Sequence, residues 1–234
     1  MGFDLKQSEI EMSSKIEKLI FTLIILALAG TASNLFVAAQ AGYAKFSTLA
    51  LYALIPSILL IAVMMLIAYF RGHRDLLRQV LAGITGGLIG TVGLEIIRHS
   101  GFLLGGMPGE LPKLMGVLLV DRFAQGPSLL SNLAGWGYHF WNSTAFGIIY
   151  SLLIGKGRSW MGAIYGIIIG IGFMASPAAL SLGVGLFGAD FGWGFTFTVT
   201  LAHLLFGFLL GLVVQRKGVE GVMLSKQIKS LLTQ

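Results

Sequence analysis

The segment STLALYALIPSILLIAVMMLIAYF (47–70) runs for 24 residues without an Asp, Glu, Lys or Arg. A helix rises about 1.5 Å per residue, so about 20 apolar residues cross the hydrocarbon of a bilayer. Five further runs, 19–40, 79–97, 132–154, 160–182 and 193–214, approach the same length. The chain therefore reads as an all-α integral membrane protein with about six transmembrane helices in a single domain, 1–234. Strands are excluded as the alternative, because no alternating pattern capable of closing a barrel is visible. An unpaired backbone group in lipid costs several kcal/mol, which leaves helices. Composition agrees: 56% of the residues are hydrophobic and 11% charged, against roughly 45–50% and 25% in a soluble domain.

The absence of cysteine removes disulfides, thiolate metal sites, iron–sulfur clusters and a cysteine nucleophile. The formal charge of +6 does not form a nucleic-acid surface, since the basic residues sit in short clusters between apolar runs. Twelve of the 16, including Lys15, Lys18, Arg71, Arg74, Arg78, Lys156, Arg158, Arg216 and Lys217, fall on one side of the six runs. Lys45, Arg98, Lys113 and Arg122 fall on the other. The positive-inside rule then puts both termini in the cytoplasm and the 98–131 connection outside. Segments 1–18 and 218–234 carry apolar residues at helical intervals, as expected of helices lying along the inner surface. The first run is longer than a signal-peptide core and has no small-residue cleavage pattern after it, so it reads as a true span.

The chain also shows internal similarity. GWG opens the fourth run at 135–137 and the sixth at 192–194, followed by Phe146-Gly147 and Phe206-Gly207. The matched pairs are 57 and then 60 residues apart. Gly83, Gly87 and Gly86, Gly90 precede the first member, and Gly162, Gly166, Gly170 precede the second. The expected unit is a small-residue helix followed by an aromatic one, repeated in tandem. Glycines four apart let helix backbones approach closely, and packing is their simplest role.

Ionisable groups in hydrocarbon cost at least about 2.5–3.5 kcal/mol unless paired or hydrated, so the few present are informative. Glu95, Arg98 and His99 end the third run; Trp136, His139, Asn142, Ser143 and Tyr150 form a stripe down the fourth; Thr196, Thr200 and His203 do the same in the sixth. From the helical rise, His139 lies about 10 Å and His203 about 15 Å below the outer ends of their runs. Glu95, His99, His139 and His203 therefore belong to the outer half. Imidazole and carboxylate groups in this number point to a metal ion or to axial ligation of a haem. A Glu95–Arg98 ion pair with histidines hydrogen-bonded between helices is the alternative.

In the external connection, Pro112 is placed to open a short helix whose Leu114, Leu118 and Leu119 rest at the membrane surface as a lid. Asp121, Arg122 and Asp190 are candidate charges at the mouth of the site. No CxxCH, HExxH, GxSxG, Walker or Rossmann pattern occurs, so nothing points to an enzyme.

On GWGYHFWNSTAFGIIY (135–150), with Trp136, His139, Phe146, Gly147 and Tyr150 on one helix, the chain resembles uncharacterised bacterial multi-pass membrane proteins, the YagU-like group among them. The likeness covers mainly 80–214 and implies residence in a bacterial inner membrane. Three functions are left open: binding of a metal ion or haem, transport of a small solute or of protons or ions, and service as a non-catalytic subunit of a larger membrane complex. Homo-oligomerisation is expected if the chain is a transporter, because 234 residues supply little wall.

Overall fold

The computed structural model describes residues 2–233 and contains no strand among them. In chain order the long helices are α1 (Gly2–Gln40), α2 (Phe46–Phe70), α3 (Arg74–Leu103), α4 (Leu111–Leu119), α5 (Leu129–Leu153), α6 (Ser159–Met174), α7 (Trp193–Lys217) and α8 (Leu224–Leu232). Four have the length and hydropathy to cross a membrane: Glu9–Gln40 within α1, then α2, α3 and α7. This is two fewer than the apolar runs predict. Helix α5 has 25 residues, but Asn132, His139, Asn142, Ser143, Thr144 and Ser151 dilute its apolar character. Helix α6 is apolar yet only 16 residues long. The expected run 160–182 stops at Met174 because Ser176 precedes Pro177, whose ring disfavours helical backbone in the residue before it.

Proline acts differently in α2. Pro56 has no N–H to return to the preceding turn, and its ring crowds the carbonyl four residues back. The helix absorbs this with a π-helical turn at Ala50–Leu54 and continues to Phe70. Segment 3–18 is the start of the continuous helix α1, whereas the C-terminal segment is a separate helix, α8.

Glycine decides how the helices meet. A Cβ on Gly87 would come within 2.7 Å of the Ser143 carbonyl oxygen and of the Thr144 Cα, and one on Gly83 would strike the Gly147 carbonyl. Helices α3 and α5 are therefore in backbone contact. Helices α6 and α7 meet in the same way, Gly162 against the Gly207 carbonyl and Gly166 against that of His203. Gly147 faces Gly83 and Gly87 as Gly207 faces Gly162 and Gly166. Between the two pairs, Gly86 and Gly90 of α3 receive Leu210 and Phe206 of α7. With almost no apolar gain from helix association in lipid, such contacts supply the dispersion and weak backbone interactions that hold a bundle.

The two GWG motifs do unlike work. Gly135 lies inside α5 and is pressed against Pro112 and Gly116 of α4, while Gly192 takes a φ of 108° to start α7. The register that aligns the packed glycines is the one shared by Phe146-Gly147 and Phe206-Gly207.

One end of the bundle is tied by polar contacts. Arg71 Nε donates to Glu17 at 2.8 Å and Lys18 Nζ to Asp75 at 2.6 Å, joining α1 to the α2–α3 turn. Gln79, fully buried, donates to the Ser151 carbonyl and accepts from the Val219 N–H at 2.6 Å. Gln227 of α8 donates to Thr22 of α1 at 3.0 Å. The clusters around residues 15–18, 71–78 and 226–229 thus share one end of the molecule.

A cavity with one polar wall at one end of the bundle

The opposite end holds a cavity of about 320 Å³. Helix α4 forms part of its roof through Leu111 and Met115. The helix that Pro112 was expected to open is present, and it is clamped on α5, with Gly116 against the Ser131 carbonyl and Pro112, Met115 and Val117 buried. The phenyl groups of Phe36, Phe146, Phe173 and Phe206 line the body of the space, giving it an apolar character.

One wall is polar. Arg98, 4% exposed, donates from Nε to both Glu95 oxygens at 2.8 and 2.9 Å and from Nη2 at 2.6 Å. The pair is three residues apart on one helix, which brings the two side chains to the same face. His139 Nε2 sits 2.8 Å from the other side of the Glu95 carboxylate. The other ring nitrogen, Nδ1, is buried without a partner. Arg98 Nη1 and the Asn142 side-chain oxygen are also buried without partners. Arg98, His139 and Asn142 all line the cavity. His203, on the neighbouring helix, donates Nδ1–H to the Val199 carbonyl at 2.8 Å, which leaves Nε2 as the acceptor of the neutral ring. Its ring stacks on Phe173 at 6.1 Å.

The sequence-derived residues separate on this geometry. Arg98, His139, Asn142, Ser143 and His203 line the cavity. Glu95 stands behind Arg98 and His139. His99 is exposed: the glycine stripe fixes which face of α3 is buried, and His99 lies about 100° of rotation past Arg98, on the side of the exposed Val92 and Ile96. The four residues expected to gather, Glu95, His99, His139 and His203, therefore do not form one cluster, because His99 lies on the outer face of α3. Among the described residues no three of His, Cys, Asp or Glu assemble as a metal-holding group.

Trp136 packs edge-on against His139 at 6.0 Å without reaching the cavity. Tyr150 is fully buried, 5.2 Å from the Tyr165 ring, about 16 Å further along α5 than His139. Thr196 donates to the Phe187 carbonyl, and Thr200 is half-buried outside the lining, a place taken by Thr198. Of the three charges expected at the mouth of the site, Asp121 accepts from Ser47 at 2.8 Å, and neither it, Arg122 nor Asp190 lines the cavity.

Sequence reasoning missed the contribution of α1, where Ser33, Asn34 and Phe36 line the space. Tyr138 of α5 holds α1 there, its hydroxyl accepting from the Phe36 N–H at 3.1 Å. The polar TASN stretch (31–34) inside an apolar run was the available signal. No protein-family model, curated protein or solved structure matches the chain.

Proposed function

We propose that this chain is a six-span inner-membrane protein of the YagU-like kind, with cytoplasmic termini and tandem α3/α5 and α6/α7 units, that binds a small neutral molecule in its outer-half cavity. The ligand carries a carbonyl-type oxygen on an apolar body. The observation that carries the reading is the presence of unpartnered polar atoms, Arg98 Nη1, His139 Nδ1 and the Asn142 side-chain oxygen, on residues that form one wall of an otherwise apolar cavity. A buried donor or acceptor left unmade costs about 1–3 kcal/mol, and a ligand oxygen received by Arg98 Nη1 removes part of that cost. Convergent polar groups in an apolar hollow are the usual make-up of a small-molecule site. Glu95 and Arg98 cancel, so a neutral ligand adds no uncompensated charge to a low-dielectric space.

The test is thermal melting of the detergent-purified protein with 2-dodecanone, dodecane or decanoate. The ketone is expected to raise the midpoint saturably, the alkane not to, and decanoate less than the ketone. A ketone oxygen has no proton to give the unpartnered Asn142 side-chain oxygen, so Asn142→Leu is expected to leave the ketone's stabilisation in place and to weaken about tenfold, or 1.4 kcal/mol, only the corresponding alcohol, 2-dodecanol. Identical midpoints with ketone and alkane overturn the reading.

The spans and their orientation have a separate test. Because native cysteine is absent, single cysteines can be introduced at exposed positions that tolerate a side chain. Lys156→Cys and Ser225→Cys are expected to resist an impermeant thiol reagent in whole cells, and Ala124→Cys and Ala189→Cys to react. Labelling of the first two but not the last two reverses the orientation, and a mixed result breaks the six-span count.

A further inference from the structure

We infer that the cavity is loaded sideways, from the outer leaflet, through a portal between α1 and α6 that admits molecules dissolved in the bilayer. This rests on the reading of the cavity as a ligand site and adds its route of entry. Asn34 of α1 and Gly172 of α6 both line the cavity, and both are exposed on the outside of the bundle. A residue that belongs to a cavity wall and to the outer surface marks a mouth.

The helices on either side leave room for it. α6 packs along α7, and α1 packs along α2 and α5, while α1 and α6 have no comparable contact with each other; the chain reaches α1 only past the end of α6, at Pro177–Leu180, which bounds the gap on that side. Gly172 has no heavy atom within 4 Å of the position its Cβ would take. Its side of α6 also carries Ile168, 61% exposed, and Ile171, 47% exposed, so the rim is apolar and suited to acyl chains rather than water. Asn34, about 9 Å from the end of α1, is bonded to its own helix through the Gly30 carbonyl at 2.8 Å, which leaves the opening unobstructed. From above, entry is blocked by α4, whose Gly116 lies in backbone contact with α5. A neutral amphipath would therefore arrive tail or head first from the lipid, and its oxygen would come to rest against Arg98.

The portal makes Gly172 a position where size matters without affecting the fold. The full-length protein in lipid nanodiscs would be exposed to a long-chain alkyl ketone bearing a diazirine, irradiated, and the labelled peptides identified. In the wild type, label is expected on the cavity peptides carrying Phe173 and Phe206, and excess 2-dodecanone should displace it. Gly172→Trp is expected to lower that labelling about tenfold or more with an unchanged melting midpoint. Ile168→Trp, one turn away on the same exposed side but outside the cavity lining, should label as the wild type does. Asn34→Phe closes the opening from the other lip and should reproduce Gly172→Trp if the latter assembles poorly. No displaceable cavity label in the wild type overturns the ligand-site reading. Full label in folded Gly172→Trp and Asn34→Phe overturns the portal alone.

Discussion

Leucine at Gly166 is expected to leave little folded protein in the membrane, whereas leucine at Gly172, six residues further along the same helix, should be tolerated. A Cβ at 166 is driven into the His203 carbonyl, with the Gly207 backbone 3.0 Å away. Backbone cannot rotate aside as a side chain can, so α6 and α7 must separate. Overpacking costs about 1–3 kcal/mol where neighbours adjust, and the upper end or beyond is expected here because the contact continues through Gly162, Gly207 and Gly211. Gly87→Leu should behave likewise against Ser143 and Thr144. At Gly172 a side chain meets open space. The measurement is the yield of monodisperse protein and its melting midpoint in detergent. Equal behaviour of Gly166→Leu and Gly172→Leu would mean that the glycine contacts do not hold the bundle.

The same contrast shows what composition and spacing carry. Runs such as 47–70 announce lipid by length alone, and glycines four apart announce close approach, because both properties belong to a single helix. The identity of the partner is a property of two helices. Both GWG motifs look alike in the chain, yet Gly135 meets α4 and Gly192 starts α7, so the packed register follows Phe146-Gly147 instead. His99 failed as a site residue for a related reason. Its distance from Glu95 in sequence is compatible with a shared face, but the glycine packing of α3 turns the helix so that Arg98 points inward and His99 outward. The cavity wall from α1 has only the polar TASN stretch (31–34) to mark it, because a helix with so many apolar residues offers no periodic signal that extends this to the face bearing Phe36. The early end of α6 was legible in Ser176-Pro177, although the apolar residues that follow made the run look longer.

Neutralising Glu95 is expected to be the costliest polar change in the protein. Glu95→Gln removes the counter-charge from Arg98, whose side chain is 5% exposed and bonded to both carboxylate oxygens. Leaving one member of a buried ion pair alone costs about 3–5 kcal/mol, because the desolvated guanidinium keeps its charge with nothing to balance it. Arg98→Gln should cost a similar amount by stranding the carboxylate, which retains only the imidazole of His139. The double variant Glu95→Gln with Arg98→Gln should lose much less than the sum, since it strands no charge, and the cycle of melting free energies measures that coupling. The double variant also removes the guanidinium that faces the cavity, so it should fold yet lose the stabilisation by 2-dodecanone. This separates holding the helix end together from receiving a ligand oxygen. A cost for Glu95→Gln of only about 0–1 kcal/mol is the mark of a solvated surface pair. Water would then reach this wall of the cavity freely, and the unpartnered atoms of Arg98, His139 and Asn142 would need no ligand to satisfy them.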